Sequence, residues 1–408
     1  MRIRLEYPSS YTEGEIAITG SKSESNRLLI LQALFPKIII KNISNSDDSK
    51  ITENALKSTD SIIDIHHAGT AMRFLTAYFS TQPGREIILT GSQRMQERPI
   101  KLLVNALKDL GAEISYDKKE GYPPLKIIGK KIIKSKVALQ ANISSQYISA
   151  LMLIAPSLED GLTIELVGQL TSVPYIKMTQ TILDELGFET TFEKNQIQIS
   201  SAKRIDPKIW TIESDWSSAS YFYSILALSR QGNICLSSYK KESKQGDSAL
   251  SEIYKSLGVV TSFNRGMINL TKVKDFNFTE SININLINTP DLAQTIAVSC
   301  LGLGIGCKLS GLHTLKIKET DRLRALKIEM EKLGAKVDIT SDSLELYPNA
   351  KLKKDIAINT FNDHRMAMAF APLALKAPII INDSEVVSKS YPAFWDDLKR
   401  INFSQEII

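Results

Sequence analysis

A chain of 408 residues exceeds what one ordinary hydrophobic core holds, so two domains are the natural expectation. With 43% apolar residues, a net charge of +5 and no run of about 18 apolar residues, the composition excludes a disordered chain, a membrane-spanning helix and a strongly basic nucleic-acid binder. Three cysteines (Cys235, Cys300, Cys307) without CxxC spacing, and four histidines without an HExxH pair, speak against a disulfide framework and a zinc site, and no metal is expected.

The opening residues, Met1 to Glu6, lack the apolar core of a secretory signal and reach an acidic residue at once, so a cytoplasmic address is expected. The first chemical segment is Gly20-Ser21-Lys22-Ser23-Glu24-Ser25-Asn26-Arg27. Apolar spacing begins at Leu28, which predicts a helix from near Ser23. Small hydroxyls, backbone N–H groups, a lysine and an arginine then meet at one helix start, a sound anion site. An ordinary serine-capped surface helix would leave the same trace. His67-Ala68-Gly69-Thr70-Ala71-Met72-Arg73 follows, where small residues let backbone approach a ligand or let helices pack tightly. In Arg94-Met95-Gln96-Glu97-Arg98-Pro99-Ile100, Arg98 stands just outside a predicted proline-led helix, free to reach into a cleft or to form a surface ion pair.

A pattern then recurs. A helical stretch ends in Leu-Gly at Gly111, Gly187, Gly258 and Gly334, a spacing of about 75 residues, and two short strand-like runs follow each. Glycine past a helix end suits a left-handed cap. Val259–Phe263, a turn at Asn264-Arg265-Gly266 and Met267–Leu270 read as a hairpin. The period predicts one small α/β unit repeated in each of two domains, with a degenerate copy at Ile51–Asp64 and a last one at Pro392–Ile401.

Ser144-Ser145-Gln146-Tyr147 puts three hydrogen-bonding side chains ahead of an apolar helix, suited to a polyol or phosphate, or simply to capping. Ser172-Val173-Pro174-Tyr175 resembles it. Asp291, between Pro290 and an apolar helix, is a candidate general base or a helix cap. The three cysteines are expected to be buried as small apolar residues. Lys318-Glu319-Thr320-Asp321-Arg322 places Glu319 and Arg322 at the positive end of a helix. Asn362-Asp363-His364-Arg365 runs straight into a small apolar helix, and charges at the rim of a core need partners or a function. Lys389 lies just before the last helix.

Taken together and in order, GSKSESNR, AGTAMR, RMQERPI, SSQYISAL, SDWSSASYF, KETDRL and NDHRMAMAF resemble the 5-enolpyruvylshikimate-3-phosphate synthase family from about Gly20 to Phe394. The resemblance implies two α/β domains, each of three βαβαββ repeats with helices inside and sheets outside (an inside-out α/β barrel), and an active site in the cleft between domains. The first domain would run from residue 20 to 213, and the second would join 1–19 to 214–408. It implies transfer of the enolpyruvyl group of phosphoenolpyruvate to the 5-hydroxyl of shikimate 3-phosphate, without cofactor or metal, by a monomer. Lys22, Gly69, Arg98, Gln146, Arg322, Arg365 and Lys389 would surround phosphoenolpyruvate. Lys22, Ser23, Arg27, Ser144, Ser145, Gln146, Ser172, Asp291 and Lys318 would hold shikimate 3-phosphate. Asp291 would be the base at the hydroxyl, with Glu319 and Lys22 as proton carriers. Three residues depart from the family pattern: His67 stands for asparagine, Phe74 for proline and Thr314 for asparagine. The region from Ile51 to His67 is also short, which predicts a repeat that has lost strands. Two rivals remain. A transferase acting on UDP-N-acetylglucosamine shares the fold and donor but would carry a cysteine ahead of the Arg98 region, whereas all three cysteines here follow residue 234. An inactive anion-binding relative is the other.

Overall fold

The computed structural model of the chain describes residues 1–9, 11–140, 144–168, 170, 173–202 and 205–408. It divides into two compact units, Gly20–Ile212 and Met1–Thr19 with Glu213–Ile408. Glu213 is held in the second of these by its own side chain, which accepts from Trp216 Nε1 at 2.7 Å, the Lys240 amide at 2.9 Å and Ser243 Oγ at 2.7 Å.

Each unit is built from one repeated pattern: a strand, a central helix, a parallel strand, an outer helix and an antiparallel hairpin. The plainest copy has strands Lys136–Gln140 and Leu162–Val167 paired in parallel, then the hairpin Thr190–Glu193 and Gln196–Ile199 added antiparallel to the second. The Leu-Gly punctuation of the sequence is where each outer helix stops. Gly111, Gly187, Gly258 and Gly334 take φ of 106°, 95°, 75° and 100°, a left-handed turn that a side chain resists. In the last copy Asn402 takes the same turn with φ 72°. The hairpin predicted at residues 259–270 forms as Val259–Asn264 paired with Met267–Lys272.

The central helices are largely buried, and beyond their polar starts their sequences are mostly apolar on all sides. In the Gly20–Ile212 unit they are α1 (Lys22–Leu34), α2 (Gly69–Ser80) and α3 (Ser145–Ile154). Their core includes Leu28, Leu31, Phe74, Leu75, Ile148 and Leu151, each worth about 1.5–3 kcal/mol of burial. In the other unit they are α4 (Trp216–Leu228), α5 (Ala293–Leu303) and α6 (His364–Phe370). Hydroxyls that enter this interior satisfy one another: Ser220 with Thr295 at 3.1 Å, and Ser299 with Ser224 at 2.8 Å.

Among the described residues, five sheets have four strands, and the sixth has only two, Ile38–Lys41 parallel to Lys208–Thr211. This is the copy whose sequence is short: its outer helix Asp47–Lys57 runs on to the next repeat with no hairpin in between. The open strand is partly capped by Gln32 Nε2, which donates to the Ile38 carbonyl at 2.7 Å. Two expectations need correction. The helix after Arg98 starts at Lys101 with Ile100 as its cap, so Pro99 precedes it rather than leading it. The Pro99 carbonyl instead accepts from Tyr147 Oη at 2.5 Å and Arg73 Nη2 at 3.2 Å, which holds this residue outside the helix. Cys300 and Cys307 are buried, but Cys235 is only partly so, on a strand where its Sγ lies 3.8 Å from Met267 Sδ.

Candidate active site

The repeat puts the start of every central helix at the end of a parallel strand, where α/β folds gather ligand-binding groups. The residues singled out in the sequence stand at these starts, or just ahead of the outer helices.

In the Gly20–Ile212 unit, Lys22 is the first residue of α1, with Ser21 as its cap. Its Nζ lies 3.7 Å from Asp48 Oδ2, a carboxylate from the first turn of Asp47–Lys57 that the sequence did not mark. Arg27, one turn on, is buried. Its Nε donates to Thr179 Oγ1 at 2.7 Å, its Nη1 to the Ser23 carbonyl at 2.9 Å, and its Nη2 to Ser149 Oγ at 3.0 Å and the Tyr175 carbonyl at 3.2 Å. The guanidinium stacks over Phe74 at 5.5 Å and Tyr175 at 6.0 Å. Burial pulls its pKa down to about 10, against the pull of Tyr175 and Glu24, so the charge survives at neutral pH. Most of its five N–H groups are spent inside the protein, and Arg27 sets the positions of Ser23 and Tyr175.

Gly69 opens α2 against Arg98. A Cβ there would stand 2.5 Å from Arg98 Nη1, so the glycine leaves room for the guanidinium. Arg98 Nε is buried with no hydrogen-bond partner among the described residues. Arg73, unmarked by the sequence reading, ties this corner together by donating to the Gly69 carbonyl at 3.0 Å as well as to that of Pro99. Gln146 Nε2 reaches Thr70 Oγ1 at 3.2 Å, while Ser144 Oγ caps α3 by accepting from the Gln146 amide at 3.3 Å. Ser145 is buried in the first turn, His67 is half-buried two residues before Gly69, and Ser172 lies outside the described residues. Gly69→Ala is expected to push Arg98 aside and weaken phosphate binding about tenfold with little change in melting, because the clash is with the far end of a flexible side chain; calorimetric titration with inorganic phosphate checks this.

The second unit gathers its residues more tightly. Arg322 opens the helix Arg322–Lys332 and is 2% exposed. Its Nε donates to Asp363 Oδ2 at 2.7 Å, its Nη1 to Asp291 Oδ1 at 2.8 Å and its Nη2 to Glu319 Oε2 at 2.8 Å. Burial works against this charge, but Asp363, Glu319 and Asp291 together outweigh it and raise the pKa above the usual arginine value. Arg365, in the first turn of α6, donates through Nη2 to Asp291 Oδ2 at 3.1 Å and through Nη1 to the Asp291 carbonyl at 3.2 Å. Lys318 Nζ lies 3.7 Å from Asp291 Oδ1, and Lys389 Nζ donates to the Asn362 carbonyl at 3.0 Å. Thr314 Oγ1 is buried without a hydrogen-bond partner among the described residues.

Asp291 does not cap α5. Burial pushes its carboxyl up, but Arg365, Lys318 and Arg322 pull harder and hold it well below the usual carboxylate range. It is the counter-ion of three cations, and a weak base while they face it. Asp363, which caps α6, adds a second carboxylate, and this one is fully buried. The arrangement can bind anions by exchanging these internal carboxylates for ligand ones.

Among solved structures, EPSP synthase from Acinetobacter baumannii superposes with a TM-score of 0.78 at 19% identity, covering 100% of both chains. The enolpyruvyl transferase NikO from Streptomyces tendae superposes with a TM-score of 0.74 at 11% identity, over 99% of this chain and 98% of that one. These likenesses define the fold, the repeated α/β architecture that the chain shares with both proteins. Sequence narrows it. The chain belongs to the EPSP synthase (3-phosphoshikimate 1-carboxyvinyltransferase) family, whose sequence model matches residues 52–398. A 3-phosphoshikimate 1-carboxyvinyltransferase of Bacteroides fragilis (strain YCH46) is 43% identical over 411 residues, 100% of this chain and 99% of that one. The protein of the same name from Sulfurovum sp. (strain NBC37-1) is 35% identical over 97% of this chain and 98% of its own.

Proposed function

We propose that the chain transfers the enolpyruvyl group of phosphoenolpyruvate to the 5-hydroxyl of shikimate 3-phosphate and releases phosphate. The observation that carries this reading is Asp291 held between Arg322, Arg365 and Lys318 in a chain of this family. Both substrates bring a phosphate and a carboxylate, and fixed guanidinium groups suit both. The reading gives Arg322, Arg365, Lys389, Arg98, Gln146 and the Gly69 backbone to phosphoenolpyruvate, with Lys22 shared. It gives Ser23, Ser144, Ser145, Gln146, Ser172, Asp291 and Lys318 to shikimate 3-phosphate, with Arg27 fixing Ser23 in place. The enzyme is proposed to act in the cytoplasm as a monomer; among the described residues no helix is long and apolar enough to cross a membrane.

Chemically, the 5-oxygen forms a bond to C2 of the enol while C3 takes a proton. The tetrahedral adduct then breaks its C2–O bond to phosphate and returns a proton from C3, restoring the vinyl group. Each arginine that turns toward a substrate anion leaves Asp291 facing one cation fewer. Its proton affinity then rises, the direction a base at the 5-hydroxyl needs. Glu319, paired with Arg322 before substrate arrives, is freed by the same exchange to carry a proton at C3.

Phosphate release tests the reading. Shikimate 3-phosphate with phosphoenolpyruvate is expected to liberate phosphate, and UDP-N-acetylglucosamine in its place is not. Release with the sugar nucleotide alone would transfer the chain to the other acceptor, and release with neither would sink the transferase reading.

A further inference from the structure

Asp247 is a buried carboxyl that the proposed reaction does not use. It sits in the turn Gly246–Ala249 and is 4% exposed. Its Oδ2 accepts from Ser217 Oγ, and Ser217 Oγ in turn accepts from Arg365 Nη2 at 3.3 Å. Its Oδ1 is buried with no hydrogen-bond partner among the described residues. A carboxylate oxygen shut away from water without a donor is costly, whereas a neutral acid pays far less. The charged groups facing Asp247 are Arg365 from α6, Asp291 from the turn Pro290–Leu292 and Asp215 from the cap of α4. One cation therefore stands against two carboxylates.

We infer that Asp247 is a positioning residue for Arg365: held as the neutral acid it leaves the guanidinium available to a bound anion, and when it ionises it draws Arg365 back through Ser217. Burial first, and then Asp291, push this carboxyl up to about 7, with Arg365 and Ser217 pulling the other way and Asp215 adding to the rise. The lost proton goes to solvent, and the group changes state across neutral pH. The inference rests on the proposed role of Arg365 as an anion-binding arginine.

The test compares the wild type, Asp247→Asn and Ser217→Ala at pH 6, 7 and 8. Asparagine mimics the neutral acid in size and polarity. From pH 6 to 8 the ionised fraction of a group near pH 7 climbs from about a tenth to about nine tenths. The ratio of wild-type to D247N KM for phosphoenolpyruvate is expected to rise about three- to tenfold over that range, while kcat changes alike in both. Taking the ratio cancels titration of the substrate phosphate. S217A cuts the link and is expected to follow D247N. A second arm needs no substrate. A carboxyl raised above its unfolded value contributes stability at low pH that is lost as pH rises through the folded value. The melting temperature of the wild type should therefore fall relative to D247N between pH 5 and 8, and S217A should keep that fall because the carboxyl remains.

A KM ratio that stays flat with pH, or an S217A profile like the wild type, would overturn the inference. So would a melting difference independent of pH, which is what a merely structural residue gives. Absence of wild-type turnover would overturn the functional reading instead; the melting arm distinguishes the two failures.

Discussion

Arg322→Met is expected to abolish turnover and to lower the stability of the unit that carries it by about 3–5 kcal/mol, the usual consequence of stripping a buried cation from its partners. Three carboxylates lose their common counter-ion at once: Asp363 at 2.7 Å, Asp291 at 2.8 Å and Glu319 at 2.8 Å. Asp363 is fully buried and cannot turn to water. Against a typical stability of about 5–15 kcal/mol, the loss would show as an early transition in urea. Arg322→Lys separates the two effects. One ammonium keeps the charge but cannot bridge three carboxylates in the plane of a guanidinium, so folding should largely recover while turnover stays low. Acid has a related effect. The depressed Asp291 carboxyl contributes stability that is present above about pH 4 and lost only as pH falls toward its folded value. An R322M protein that melts like the wild type would refute the coupling of these groups.

The sequence made the fold legible because its period is punctuated. Leu-Gly at each outer helix end, followed by alternating runs, announces a helix and a hairpin locally, and the shortened stretch before His67 marked the copy that lacks its hairpin. The tertiary partners were less legible. Asp48 reads as an ordinary acidic residue in a first helical turn, yet it lies beside Lys22. Arg73 reads as the end of a small-residue motif, yet its bonds join Gly69 to Pro99 across 30 residues of chain, as in any contact set by packing rather than spacing. Asp247 directly follows a segment, Lys240 to Gly246, whose lysines suggest only a solvated loop. Arg27 was visible as a cation, but the loss of most of its free N–H groups depends on Thr179 and Ser149, on helices more than 100 residues away. Residue type indicated which groups could meet an anion. Burial decided which of them have hydrogen bonds left to give.

That distinction separates the two cations of the first motif. Lys22→Met is expected to cut turnover by about 10²–10³-fold or more, the scale of losing one fixed electrostatic contact to a developing charge, while the fold survives. The methionine keeps the length and most of the apolar stem. The ion pair it removes is a loose one, at 3.7 Å, and Asp48 engages further neighbours, so a stability loss near 1 kcal/mol is expected, a melting shift of about 2–4 °C. Arg27→Met should do the opposite in order of severity. It removes the donors that Thr179 and Ser149 face and the cation lying over Phe74 and Tyr175, so destabilisation comes first and loss of turnover follows from it. Phosphate release and thermal melting on both variants decide the matter. Near-normal turnover in K22M would remove Lys22 from the reaction, and an R27M protein that melts normally but does not turn over would return Arg27 from scaffold to ligand contact.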